Sequence, residues 1–429
     1  ERIGTGVNGW FLIKSGVTLE EKERIVSLGI EGSFFQEYYT RFYPYGRLFS
    51  HIVGYTRKVG EKEDGFKGIE LSMNEKLVNQ DVTLSLDATI QNIIYEEIHA
   101  AFKLYKTNAA FAILVDLQTR EVVSSVSLPD FEPTGKIDPK HKSHINVPFS
   151  TVFNLGSVFK IFTTVLGLEY GFTPKQKLLL PNAIPVTSTF SVKDEHRSRD
   201  TMTFEEIIAY SSNVGVALIT QKVGFENQRN FFEKLGMFKT PSFAISQGEI
   251  ARPLFIADKW RDSIHYTASY GYGISISPIH FLQIVSGLVY DGKMLPLTLL
   301  KGGNIGIDSP VVVKPQTVEY LQDMLRTVVQ IGTGRKATVN GYSICGKTGT
   351  SLKFDKVKRQ WDKRRKYLSF VSVFPCDNPR YAMYIGLDEP SVSNITTLQA
   401  SNTVVHTTAD IIRVIAPMLN TKPDQDGSN

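Results

Sequence analysis

Cysteine is nearly absent: the chain has two in 429 residues, Cys345 and Cys376. Neither belongs to a Cys-x-x-Cys pair, and the HKSH run (His141 and His144) lacks partners, so zinc-type ligand spacing is excluded. Both cysteines lie beside strand-like runs, and the expectation is two buried free thiols rather than a disulfide. Long apolar stretches are also missing, since no run approaches the roughly 18 residues that span a bilayer. Charge of one sign is scarce: 48 Lys+Arg stand against 43 Asp+Glu, a formal +5 that does not imply nucleic-acid binding. With 42% hydrophobic and 21% charged residues, the chain is neither disordered nor collagen-like nor disulfide-stapled. The first residue is Glu1, not Met, and the expectation is a fragment whose targeting segment has been removed.

What charge there is sits in one place. Lys353 to Lys366 reads KFDKVKRQWDKRRK, with eight Lys/Arg and two Asp, leaving −1 for the other 415 residues. A charge run of this kind is expected to be a mobile, solvated loop. Composition and pattern divide the chain into three regions. Residues 1–80 mix a helical stretch (18–29) with polar, turn-rich segments, 81–420 read as one α/β unit, and 421–429 form a polar tail expected to be disordered.

Within the middle region, DATIQNIIYEEIHAAFKLYK (87–106) is an amphipathic helix with an Asp near its start. AAFAILVDL (109–117) and EVVSSVSL (121–128) are predicted strands joined by a short turn. Near the other end, 342–346, 367–374 and 381–387 are β-rich, and 402–419 is a long helix. Strands at both ends with helices between them predict an antiparallel sheet whose halves are distant in sequence, with a helical subdomain filling the gap.

Three short elements carry chemistry. NLGSVFKIFTTVLGLEYG (154–171) is apolar on nearly every face, which predicts a buried helix, yet its first turn holds Ser157 and Lys160. At i and i+3 they share a face, and burial lowers the lysine pKa, so a neutral amine could activate the hydroxyl as a nucleophile. In the second element, a capping box from Thr203 to Glu206 starts a short helix ending near Tyr210, and another helix runs from about Val214 to Val223. Ser211 and Asn213 lie at the junction, where the bland alternative is ordinary capping.

The third element, CGKTGTS (345–351), supports two readings. Gly341 to Thr348 fits the pattern G-x-x-x-x-G-K-[ST] of a P-loop NTPase, but Tyr342 to Cys345 are strand-like, and Gly349 with the charged run after it makes a poor helix start. The other reading is Lys-Thr-Gly-Thr on an edge strand. Gly349 would leave room for a substrate backbone, while Lys347, Thr348 and Thr350 face an anionic group.

In this order the three elements are the signature of penicillin-binding proteins and serine β-lactamases. The chain resembles a class B penicillin-binding protein, a monofunctional peptidoglycan D,D-transpeptidase. The likeness extends to RFYPYGRLFSHIVGYT (41–56) and GIELSMNEKL (68–77), which resemble pedestal segments, and to GYGISISPIH (271–280) and GTGRKA (332–337) of the catalytic domain. SSNVG and the Asn378-Pro379-Arg380 run lean towards the cell-division type. The resemblance implies an α/β penicillin-binding-protein/β-lactamase-like transpeptidase domain behind a non-catalytic N-terminal pedestal.

It further implies that Ser157 attacks a D-Ala-D-Ala stem peptide with Lys160 as general base. Ser211 would relay a proton, with Lys347 and Asn213 tuning the network. Thr348 and Thr350 would hold the terminal carboxylate beside Gly349, and the N–H groups of Ser157 and Thr350 would form the oxyanion hole. β-Lactams would acylate Ser157. No cofactor, metal or nucleic acid is implied. The implied partners are a membrane glycosyltransferase and division proteins, on the periplasmic side of a bacterial inner membrane, with an N-terminal transmembrane anchor outside this chain. Asn154-Leu155, where the family more often has Glu-Pro, and Arg120, at a turn position usually held by glycine, depart from the pattern. A β-lactamase would not need the pedestal segments. A D,D-carboxypeptidase shares these residues, and a non-catalytic division scaffold is a further alternative.

Overall fold

The computed structural model describes residues 13–37, 40–59, 62–135, 138, 140–195, 199–245, 247–255, 260–304, 306–355, 357–392 and 398–423. The polar tail read at 421–429 lies mostly outside them. Two compact units are present, Glu1–Phe42 and Tyr43–Asn429, so residues 43–80 belong with the larger one. In the first unit the helix read at 18–29 forms as α1, Leu19–Ser27. Thr18 and Glu21 accept from each other's backbone N–H groups in a capping box.

In the second unit two short helical turns, Gly46–Phe49 and Ser50–Val53, lead into a hairpin, β1 (Tyr55–Val59) and β2 (Lys62–Lys67). Helix α2 (Ala88–Leu104) starts where the Asp87 carboxylate accepts from the N–H groups of Thr89 and Ile90. Strands β3 (Ala109–Asp116) and β4 (Val122–Leu128) come next. The helical part contains α3 (Lys160–Glu169), α4 (Phe204–Ala209), α5 (Asn213–Val223), α6 (Pro278–Leu288) and α7 (Pro315–Gln330). The chain then returns to the sheet with β5 (Cys345–Asp355), β6 (Gln360–Phe374) and β7 (Tyr381–Asp388), and ends on α8 (Val404–Met418).

The sheet order is β5-β6-β7-β3-β4, antiparallel throughout. The two distant halves meet where β7 pairs with β3, with Tyr381 opposite Asp116. Alternation along β3 explains its unbroken apolar run. Phe111, Ile113 and Val115 enter one core with α3, α5 and α6, while Ala110, Ala112 and Leu114 enter another with α2 and α8. A strand covered on both faces reads as a near-continuous apolar run. In the β3–β4 turn Arg120 has φ +59, the left-handed conformation that favours glycine. Its buried guanidinium donates to the Asp291 carboxylate at 2.5 Å.

Two expectations are corrected. Cys345 and Cys376 are joined in a disulfide with their Cα atoms 5.4 Å apart. The cause is register: Cys345 lies opposite Val373, and Cys376 comes three residues later as the chain leaves β6. The basic run is not a loop either. Residues 353–355 and 360–366 continue β5 and β6 as a paired hairpin, and Lys366 is buried with its amine donating to the Leu398 carbonyl at 3.0 Å.

Candidate active site

The helix read at 154–171 is entered through a 3-10 turn, Gly156–Phe159, and becomes α-helical only at Lys160. Gly156 has φ +58, and a Cβ on it would sit 2.6 Å from the Thr350 carbonyl oxygen. From the other side Gly271 approaches so closely that its Cβ would lie 2.1 Å from the Gly156 oxygen, and the Gly156 N–H donates to the Gly271 carbonyl at 3.2 Å. The Ser351 hydroxyl donates to the Asn154 carbonyl at 2.6 Å. These contacts clamp the Ser157 turn against β5, the edge strand of the sheet. Ser157 stays half-buried, whereas Lys160 is fully buried.

Ser211 occupies the break between α4 and α5 with φ +61, a conformation that costs a non-glycine residue on the order of 1–3 kcal/mol. The break is held from both ends. The Ser212 hydroxyl caps α5 by accepting from the Gly215 N–H at 2.9 Å and donates to Asp194 Oδ2 at 2.7 Å. Asp194 Oδ1 accepts from the N–H groups of Asn213 and Val214 at 2.5 and 3.0 Å, placing a carboxylate at a helix N-terminus. The Asn213 amide donates to the Lys193 carbonyl at 3.3 Å.

Two buried lysines converge on Ser211. Lys160 Nζ donates to the Ser211 carbonyl at 2.5 Å and to Ser211 Oγ at 3.1 Å. Lys347 Nζ donates to the same Oγ at 3.0 Å and to the Thr348 carbonyl at 3.2 Å. Burial pulls Lys160 down to about 7, while Asp194 and Glu195 push it up. Burial holds Lys347 well below the usual amine range, and the neighbouring Lys160 charge adds to this. Two amines of lowered pKa and the hydroxyl between them thus form a short hydrogen-bonded chain.

Lys160, Ser211 and Lys347 converge here from three separate stretches of chain, and Ser157 lies three residues before Lys160 in the turn that leads into α3. The threonines sit around them. Thr348 Oγ1 shares a hydrogen bond with Thr333 Oγ1 at 2.6 Å, and Thr350 Oγ1 accepts from the Ala400 N–H at 3.4 Å. Thr333 is brought in by the GTG turn, whose Thr333 N–H donates to the Ala209 carbonyl at 3.2 Å. Gly349 has a different role from the room for substrate read in the sequence. A Cβ there would meet Val158 Cγ1 at 2.8 Å and the Leu155 oxygen at 3.0 Å, so the space is filled by the Ser157 turn itself. The P-loop alternative is contradicted, because Gly346 to Thr350 lie within β5 and continue as strand to Asp355.

Asp194, Thr333 and Gly271 were not singled out in the sequence. Asp194 lies in a polar stretch, KDEHRSRD, with no spacing signal, and Thr333 and Gly271 belong to segments noticed only as resemblances. Among the described residues, no group of three or more His, Cys, Asp or Glu could hold a metal ion, and no helix is long and apolar enough to cross a membrane.

Comparison with known proteins points to one family. The family profile of the penicillin binding protein transpeptidase domain matches residues 110–410. The probable peptidoglycan D,D-transpeptidase FtsI of Caulobacter vibrioides is 29% identical over 399 residues, covering 88% of this chain and 66% of the relative. The chain therefore spans about two thirds of that relative's length. Penicillin-binding protein 3 of Mycobacterium tuberculosis in complex with aztreonam superposes with a TM-score of 0.79 at 25% identity, covering 90% of this chain and 92% of the other. The transpeptidase domain of Burkholderia pseudomallei penicillin-binding protein 3 gives 0.70 at 28% identity, covering 81% and 99%.

Proposed function

The chain belongs to the penicillin-binding protein transpeptidase family, and from that membership we propose a peptidoglycan D,D-transpeptidase of the cell-division type. One observation carries the reading furthest: Ser211 Oγ lies 3.1 Å from the Lys160 amine and 3.0 Å from the Lys347 amine, beside the clamped Ser157 turn. Neutral Lys160 takes the Ser157 proton as Oγ attacks the carbonyl between the last two residues of a stem peptide ending in D-Ala-D-Ala. The peptide C–N bond breaks as the proton passes through Ser211 to the leaving amine, and an ester on Ser157 remains. An amine from a neighbouring strand then attacks that ester, forms the cross-link and returns the proton to the site.

The N–H groups of Ser157 and Thr350 receive the oxyanion, and the Thr348 and Thr350 hydroxyls with Lys347 receive the substrate's terminal carboxylate. A β-lactam opens by the same attack, its ring nitrogen taking the proton, and stays as a slowly released acyl group. The aztreonam complex of the M. tuberculosis neighbour supports this step. The reaction as written uses no metal or cofactor. It belongs on the periplasmic side of the inner membrane, beside a membrane glycosyltransferase and division proteins. Mass spectrometry after incubation with penicillin is expected to show one adduct, on Ser157, and none on Ser157→Ala. An unmodified Ser157, or labelling that survives the substitution, overturns the reading.

A further inference from the structure

The β5–β6 hairpin outgrows its sheet. Pairing of β6 with β7 ends at Tyr367 opposite Asp388, while β5 and β6 stay paired out to Asp355 opposite Gln360. Beyond Leu352 the register jumps: Leu352 faces Lys366, but Lys353 faces Asp362. Lys363, Arg364 and Arg365 therefore bulge from the strand, all exposed. Some of the cluster's charge is neutralised. Lys353 pairs with Asp388 and Glu389 at 2.6 and 2.8 Å, and Arg365 pairs with Glu389 at 2.8 Å. The two acids within the run serve the backbone instead. Asp355 accepts from the N–H groups of Val357 and Lys358, and Asp362 accepts from that of Arg364. Lys358, Arg359, Lys363 and Arg364 are exposed and form no ion pair among the described residues.

The same hairpin carries an aromatic step. Trp361 lies opposite Phe354, with ring centroids 5.4 Å apart, and both are 44% exposed. Trp361 also stands edge-on to Tyr272, centroids 4.8 Å apart. Tyr272 ties this step to the active site: its hydroxyl accepts from the Leu352 N–H at 3.0 Å, and its neighbour Gly271 holds Gly156. Phe354 lies four positions beyond Thr350, about 14 Å along an extended strand. A peptide whose terminal carboxylate is held at Thr348 and Thr350 and that runs antiparallel to β5 needs roughly four extended residues to bring its upstream end to Phe354 and Trp361.

We propose that this hairpin is a secondary binding site for the sugar-proximal end of an anionic glycopeptide donor, with sugar faces against Trp361 and Phe354 and carboxylates against the four exposed cations. The inference rests on the transpeptidase reading and names the part of the donor that the catalytic cleft does not hold. Flat, exposed aromatic faces suit the apolar faces of sugar rings, and exposed cations complement carboxylates. The test compares D-alanine release from two donors that end in D-Ala-D-Ala, one a free stem peptide and one bearing its disaccharide. Wild-type protein is expected to prefer the disaccharide donor. Trp361→Ala should cut that preference by about tenfold, and Trp361→Phe should keep most of it.

Should Trp361→Ala fail to fold, Lys363→Gln with Arg364→Gln at the exposed bulge tests the same point. This pair should slow D-alanine release from both carboxylate-bearing donors, more at low salt than at high salt, and unchanged rates at low salt overturn the proposal. Normal penicillin acylation of wild-type protein together with equal rates on the two donors overturns the hairpin site alone. Absent penicillin acylation overturns the transpeptidase reading and this inference with it. Trp361-dependent binding to anionic vesicles without a donor preference would assign the hairpin to a lipid surface and likewise overturns the proposal.

Discussion

Lys160 can act as a base only while its amine is neutral, and its surroundings decide when that is. Burial is the largest influence and brings it to about 7, against the partial restoration by Asp194 and Glu195. Lys160 and Lys347 bracket one hydroxyl, so protonating either opposes protonating the other. Below about pH 7 the folded protein holds Lys160 protonated, without a lone pair for the Ser157 proton. Acylation of Ser157 by penicillin is therefore expected to fall about tenfold per pH unit below 7 and to level off above it. Stopped-flow acylation from pH 5.5 to 8.5 checks this, and a flat profile would remove Lys160 from the base role. Lys160→Arg, charged throughout that range, should be inactive at every pH. The sequence made both residues visible through their i, i+3 spacing inside an apolar helix. It did not show that the lysine's hydrogen bonds go to Ser211, because that contact crosses 51 residues of chain.

At the scale of elements, the serine turn and strand β5 fit together only because three glycines have no side chains. Gly349→Ala would drive a methyl group to 2.8 Å from Val158 and 3.0 Å from the Leu155 oxygen, and 2.7 Å from Ser369 Oγ. The turn has to move, and a shift of about 1 Å at a reacting group can cost about 100-fold in rate. Penicillin acylation by Gly349→Ala is expected to drop by about that factor while far-ultraviolet circular dichroism stays unchanged. Wild-type acylation would show that the turn tolerates the methyl group.

The Cys345–Cys376 disulfide lies just before Lys347 on the same strand and closes a separation of 31 residues. In a chain-entropy view a loop of that length is worth about 2–4 kcal/mol. Cys345→Ser with Cys376→Ser should accordingly lower the chemical-denaturation stability by about 2–4 kcal/mol, and an unchanged midpoint would remove the disulfide from the fold's support. Helices and strands with one apolar period were legible from the sequence. The disulfide and the extended hairpin were not, because both depend on which strand lies beside which and in what register.

The larger unit is organised by a sheet buried on both faces, and that explains why its central strand β3 was readable as an unbroken apolar run. It also makes α2 part of the catalytic unit, although the family profile begins only at residue 110. Ile90, Ile94 and Ile98 of α2 are buried, and the helix packs on β3, β4 and α8. At about 1.5–3 kcal/mol for each buried isoleucine, losing the three costs about 5–9 kcal/mol. Total stabilities of domains are about 5–15 kcal/mol. Residues 43–80 contribute on the other face, where Ile52 and Ile69 join the core that holds α3. A fragment from 106 to 423 should therefore fail to melt cooperatively and fail to react with penicillin, whereas a fragment from 43 to 423 should do both. Calorimetry and penicillin labelling of the two fragments decide it. A shorter fragment that matched the longer one in melting temperature and labelling rate would show that the sheet holds Ser157, Lys160 and Lys347 in place with one face uncovered.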